Sequence, residues 1–326
     1  MADAGRNVIW RIAGGCDGKN AVHGVQQGHY HTLLQELQRE DEGRLRNFLR
    51  IDAAIFQEIL EKIQGKIQRQ NTFWRKALEP GLKLAITLRY LATGSSYQSL
   101  MYGFRVAHNT ISKFIPEVCE AIIDAYAEEV IICPSTPDEW RQVAKQFEDR
   151  WNLPHCIGAV DGRHVTLRCP KKSGSIYYNY KGFYSIVLMA VVDADYKFIY
   201  VNAGVNGAGS DGGVFAETDF REGLESDSLG LPPAEPLPGD QVPVTYFLLG
   251  DDAFPLRSWL MKPLPLRNMT MEQRIYNYRC SRARRVIENA FGILAARFRC
   301  LLTTMPQQPK TVESIVLVCC CLHNLL

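Results

Sequence analysis

Three acids stand out because of where they fall in the sequence. Asp161 closes the apolar run Cys156-Ile157-Gly158-Ala159-Val160 and is followed by Gly162. Asp251, with Asp252 beside it, closes a second run of the same design, Thr245-Tyr246-Phe247-Leu248-Leu249-Gly250. Glu288 lies further on, inside an amphipathic helical stretch. A charge at the end of a buried strand is costly without a partner. Taken singly, Asp161 reads most simply as a turn cap with Gly162. Taken together, two such strand ends point to a shared cation if the strands are neighbours. Like charges that close cannot both stay ionised unaided. Mg2+ or Mn2+ meets the need, since both take oxygen ligands. Two such ions, about 4 Å apart, can activate water or a 3′-hydroxyl and stabilise the leaving oxygen of a phosphodiester. Asp161, Asp251 and Glu288 are therefore the candidate catalytic residues and metal ligands.

Composition frames this chemistry. A chain of 326 residues is enough for roughly two domains. Its 46% apolar and 22% charged content is ordinary for a globular protein. The net charge is +2, so any basic surface must come from local clustering. Ten cysteines include no CxxC pair, and Cys319, Cys320 and Cys321 are adjacent. That speaks against a structural zinc site or a disulfide framework, and for core thiols in a reducing compartment. No apolar run reaches the length of a membrane span, and residues 1–28 lack a secretory h-region. An intracellular protein without membrane partners is expected.

The elements around the acids fall into three segments. Residues 1–31 are glycine-rich and aperiodic, so a flexible arm is expected there. Residues 32–152 read as helical. Ile51, Ile55, Ile59, Ile63 and Ile67 recur every four residues along one buried face. Pro80 opens the next helix and Gly94 closes it. A short helix over 96–104, a tight connection over 105–108 and a longer helix over 109–126 fit a helix-turn-helix. Its polar first turn would offer Asn109, Thr110 and Lys113 to DNA; the alternative is a plain helical hairpin. Thr136-Pro137-Asp138-Glu139 predicts a capped helix start, with Trp140, Val143, Ala144, Phe147 and Trp151 on the buried face.

From 153 to 326 the pattern is first β-rich. Strands are expected over 156–160, 165–168, 184–192, 197–205 and 244–249. Residues 204–213 match neither phosphate-loop pattern and predict a flexible loop before a helix around 214–224. Residues 226–244 predict an exposed connection. Arg274, Arg279, Arg282, Arg284 and Arg285, with Tyr276 and Tyr278 interleaved, have the make-up of a nucleic-acid contact. They precede or open a helix expected over 281–298, where arginine opposes the dipole, and this favours a functional cause. Glu288 shares a face with Gly292 and Ala295, so this face is expected to lie close against the sheet with a cation meeting the glutamate. The last stretch, 312–326, predicts an apolar helix whose cysteines and His323 are core residues. The sequence stops on that helix, which leaves room for a tail beyond it.

Several motifs surround these residues in order. They are Ala159-Val160-Asp161-Gly162 with His164, Asn179-Tyr180-Lys181-Gly182 with Tyr184-Ser185, and Gly209-Ser210-Asp211 with Val214-Phe215. Leu249-Gly250-Asp251 with Pro255-Leu256, Val286-Ile287-Glu288-Asn289-Ala290-Phe291-Gly292 with Arg297-Phe298, and Cys321-Leu322-His323-Asn324 complete the set. The chain resembles the PIF/Harbinger family of DDE transposases and transposase-derived nucleases over about Phe48 to Leu326. The resemblance implies an α/β fold class. A ribonuclease-H-like nuclease domain over 153–326, a mixed sheet flanked by helices, would follow an all-helical, helix-turn-helix-like domain over 32–152. It implies DNA strand cleavage with two Mg2+ or Mn2+ ions on Asp161, Asp251 and Glu288, and Asp211, His164 and Asp252 as supporting residues. Arg163 stands where a small residue is more usual. DNA is the implied partner, the nucleus the implied compartment, and a Myb-like accessory protein the implied helper in transposition; a homo-oligomer is a further expectation. The alternative is a domesticated, non-cleaving protein that binds DNA or a partner.

Overall fold

The computed structural model describes residues 28–73 and 76–326. Of the arm expected over 1–31, residues 1–27 lie outside the described residues. Residues 28–31 are packed rather than loose: the His29 N–H donates to the Gly103 carbonyl at 2.9 Å, and its ring meets Phe104 edge-on.

Helices come first: α1 (Leu33–Glu40), α2 (Glu42–Leu49), α3 (Ala53–Ile67), α4 (Pro80–Thr93), α5 (Tyr97–Phe104), α6 (His108–Val130) and α7 (Pro137–Trp151). Local chemistry sets their ends. The Asp52 carboxylate caps α3, and Gly94 closes α4 in the left-handed region that glycine tolerates best. Ser96 caps α5, and Thr136 with Glu139 forms the expected reciprocal box on α7. Ile59, Ile63 and Ile67 are buried as the period requires, while Ile51 precedes the helix and Ile55 is half-exposed.

The sheet is five-stranded and mixed. β1 (Cys156–Thr166), β2 (Ser185–Val192) and β3 (Phe198–Asn206) form an antiparallel meander. After α8 (Asp211–Ala216), α9 (Asp219–Glu225) and a small ribbon of β4 (Glu235–Pro236) with β5 (Pro243–Val244), the chain returns as β6 (Phe247–Leu249). β6 lies parallel to β1, and β7 (Leu260–Met261) lies parallel to β6, giving the order β3-β2-β1-β6-β7. Two expected strands, 156–160 and 165–168, are thus one. β2 pairs with everything from Ala159 to Thr166, so the ladder satisfies the backbone of Asp161 and Gly162 in place of a turn. The expected strand over 244–249 is instead split between β5 and β6.

Helices cover both faces. On one, α10 (Met271–Arg297) and α11 (Pro309–Leu325) bury Val286, Ala290, Val316 and Cys320 against Ala159, Val165 and Leu188. This core runs on without a break into α4 and α6 through Leu88, Ile115 and Ile122. On the other, Trp140 of α7, Phe215 of α8 and Phe220 of α9 cover Ile157, Val160, Met189 and Leu248. α10 begins ten residues before the expected 281, because Thr270 and Gln273 form a capping box there. The arginine-rich stretch therefore lies inside the helix, and the dipole argument does not apply to it. The described cysteines are all free thiols, most of them buried. No helix among the described residues is long and apolar enough to cross a membrane.

Candidate active site

The site begins with strand register. Ala159 of β1 stands opposite Leu249 of β6 in a parallel pair. Asp161 lies two residues further on, still within β1, and Asp251 lies two residues past Leu249, just beyond the end of β6 and close enough for its charge to act on Asp161. Asp161 is half-buried, and its Oδ1 accepts from the Gly162 N–H at 2.8 Å. Burial pushes its carboxyl up; the Gly162 N–H and the Arg284 charge oppose this, while Asp251 and Asp211 add to it, leaving it at about 7. Where β6 ends, the chain bends so that the Ala253 N–H donates to Asp251 Oδ1 at 2.8 Å.

Asp211 comes to the same place from the other face of β1. It opens α8 rather than lying in the flexible loop the sequence predicts, and Ser210 caps that turn. A Cβ at position 162 would stand 2.7 Å from Asp211 Cγ and closer still to Oδ1, so only glycine lets Asp211 approach. Asp211 Oδ1 is buried without a hydrogen-bond partner. Burial raises this carboxyl, Asp251 raises it further, and Lys181 acts against both. Asp252, by contrast, is exposed, and its carbonyl accepts from Lys262 Nζ at 3.3 Å.

Glu288 departs from expectation. It is exposed, and a Cβ at Gly292 would meet nothing, so this side of α10 does not press on the sheet. The packed face is Ala283, Val286, Ile287, Ala290 and Leu294, which turns Glu288 toward solvent. One turn earlier, Arg284 meets Glu288 Oε1 at 2.6 Å, and its charge also draws on Asp161. The structure thus brings Asp161, Asp251 and Asp211 into mutual repulsion and connects Glu288 to them through Arg284. Among the described residues, no group of three or more His, Cys, Asp or Glu converges closely enough to hold a metal ion as it stands. The chemistry of the donors nevertheless fits a hard divalent cation. All are carboxylate oxygens, one is buried without a partner, and the repulsion is what such an ion relieves.

His164 Nδ1 is 2.9 Å from Ser185 Oγ, to which Asn179 Nδ2 also donates. Burial, helped by Lys181, lowers its pKa, so this imidazole is neutral at physiological pH. Of the arginines named from sequence, Arg279 and Arg285 face solvent. Arg282 lies over the Trp151 ring at 5.7 Å and donates to the Arg150 carbonyl, and Arg284 is held by Glu288. Asn109 is exposed at the start of α6; Thr110 and Lys113 line a cleft of about 320 Å³ with Arg69, Lys76 and Lys83, away from the acids. Sequence reasoning gave no role to Lys181 or Tyr180, whose only signal was the Asn179-Tyr180-Lys181-Gly182 motif.

A mixed sheet with helices on both faces, with Asp161 on its central strand and the charges of Asp251 and Asp211 acting on it, defines an α/β protein with a carboxylate site. Residues 160–324 match the family described as DDE superfamily endonuclease, and the chain belongs to that family. The resemblance read from the motifs is borne out by this match. Human "Putative nuclease HARBI1" is 27% identical over 273 residues, covering 82% of this chain and 72% of that protein. The mouse protein of the same name is 26% identical over 269 residues. "Protein ALP1-like" of Arabidopsis thaliana is 27% identical over 254 residues, 75% of this chain, which spans 60% of that protein's length. No solved structure matches the chain.

Proposed function

We propose that this chain cuts DNA strands in a divalent-metal-dependent reaction, with Asp161, Asp251 and Glu288 as its triad and Asp211 in support. The carrying observation is the Ala159–Leu249 register, which supports Asp161, on β1, and Asp251, just past the end of the parallel β6, as neighbours. Membership of an endonuclease family supports the same reading. Asp161 and Asp251 would hold the cation, Mg2+ or Mn2+, as one of two ions. Once bound, such ions supply Lewis acidity to a phosphoryl oxygen and acidify a water or 3′-hydroxyl. Asp161, whose burial favours its protonated form, would hold the ion as the carboxylate. Glu288, now paired with Arg284, would be the third ligand, and Arg284 without that pairing would suit a phosphate. His164, neutral and anchored by Ser185, positions the strand after Asp161. Arg279 and Arg285 follow the DNA backbone.

In this reading the sheet is ribonuclease-H-like, and α5 with α6 is a helix-turn-helix-like element of the 32–152 region that shares its core with the sheet. Asn109, Thr110 and Lys113 then face DNA. Nuclear action, a Myb-like accessory protein and assembly with a second copy belong to the same proposal. The test is cleavage of plasmid DNA with Mg2+ or Mn2+, beside Asp161→Ala and Glu288→Ala. Wild type should cut, and each variant should lose about a hundredfold or more. Equal rates in all three would reject the reading. The ion pair that engages Glu288 favours a second reading, a non-cleaving DNA- or partner-binding protein. DNA binding without any calorimetric signal for divalent metal would select it.

A further inference from the structure

The connection from β1 to β2 ends in a tip that is firmly tied and yet displays its aromatic rings. Asn179 is only 2% exposed. Its Oδ1 accepts from the Lys181 and Phe183 N–H groups at 3.0 and 3.2 Å, and its Nδ2 donates to Ser185 Oγ at 2.8 Å. Gly182, at φ +86°, turns the chain back toward β2. A loop so well anchored could bury its rings. Instead Tyr180 is 75% exposed and Tyr178 46%. Lys181 Nζ lies 5.3 Å from the Tyr180 ring centre, and Lys171 and Lys172 are exposed on the same connection. A rigid, exposed ring beside an ammonium group is the pairing on which an unstacked base and its phosphate settle.

The position of this tip gives it meaning. The Tyr180 ring lies edge-on to His164 at 5.8 Å, and His164 is three residues beyond Asp161 on β1. Lys181 is close enough for its charge to act on both His164 and Asp211. We propose that Tyr180 and Lys181 form a subsite for an unpaired deoxynucleotide beside the phosphodiester to be cut, the base stacking on Tyr180 and its phosphate meeting Lys181. The placement next to a scissile bond rests on the nuclease reading above. An intact duplex hides its base faces, so the subsite selects DNA with a frayed, overhanging or single-stranded nucleotide.

The test uses end-labelled DNA and fluorescence anisotropy, with Ca2+ replacing Mg2+ so that binding is read without cutting. Blunt duplex and the same duplex with an unpaired 3′ overhang are compared on wild type, Tyr180→Ala, Tyr180→Phe and Lys181→Ala. Wild type should prefer the overhang by about tenfold. Tyr180→Ala should lose that preference with its affinity for blunt duplex and its melting temperature unchanged, and Tyr180→Phe should keep it. Lys181→Ala should weaken overhang binding and lower the salt slope by about one ion. Equal binding of overhang and blunt DNA by wild type, or an undiminished preference in Tyr180→Ala, overturns the subsite. If wild type cuts DNA with Mg2+ while Tyr180→Ala keeps the preference, the subsite alone falls. If overhangs bind through Tyr180 but nothing is cut, the nuclease reading falls and the nucleotide platform stands.

Discussion

Asp161 is an acid whose proton is held more tightly in the fold than out of it. Its carboxyl sits at about 7, against 3.8 for an ordinary aspartate, chiefly because it is buried. Between those two pH values the folded chain binds more protons than the unfolded one, so stability falls as pH rises through that window. The penalty is absent below the lower value and complete above the higher. Asp161→Asn removes it. In buffer free of divalent ions, the variant should melt several degrees above wild type at pH 7.5 and level with it near pH 4, as read by calorimetry. An equal gap at both pH values would count against burial as the cause. Gly162 governs the neighbouring acid. Gly162→Ala drives a methyl into Asp211, so cleavage should fall by about a hundredfold, with helix and strand content by circular dichroism unchanged. Activity close to wild type would show that the position of Asp211 does not matter.

At the scale of the element, α10 does two jobs. Its buried side closes the sheet, and its exposed edge carries Arg284 and Glu288 one turn apart. Glu288 cannot serve a cation and Arg284 at once with the same oxygen. Arg284→Met should therefore tighten Mn2+ binding by roughly threefold, in line with the modest worth of an exposed ion pair. Titration calorimetry reads this directly; weaker binding would mean that Arg284 orients Glu288 rather than competing for it. The same helix shows how an early start hides in a sequence. The arginines dominate residues 274–285, but the capping pair Thr270 and Gln273 decides where the helix begins.

At the scale of the whole molecule, the C-terminal helix joins parts far apart in the chain. Asn324 donates to the Val130 and Phe198 carbonyls at 2.8 and 2.7 Å, and its Oδ1 accepts from the Phe198 N–H at 2.9 Å. It completes the hydrogen bonding at the first residue of β3, the sheet's outer strand, and ties it to the end of α6. Asn324→Ala leaves these buried backbone groups unpaired, so urea unfolding should lose about 3 kcal/mol. Because one core spans the helices and the sheet, the loss should move a single transition rather than split it in two. A loss confined to a second, separate transition would count against that coupling.

Much of the local structure was legible in the residues alone. The cap at Thr136, the glycine stop at 94, the isoleucine stripe of α3 and the buried cysteine helix all rest on contacts within a few positions. The ordered motifs carried the family. What the sequence could not supply was register and facing. Whether Asp161 meets Asp251 depends on how β1 pairs with a strand some ninety positions later; that β1 does not stop at Asp161 depends on β2. The approach of Asp211 to Gly162, the outward turn of Glu288 and the place of Lys181 near Asp211 come from the packing of whole elements against one another. Such contacts are settled by the shared core, whose free energy no short window of sequence contains.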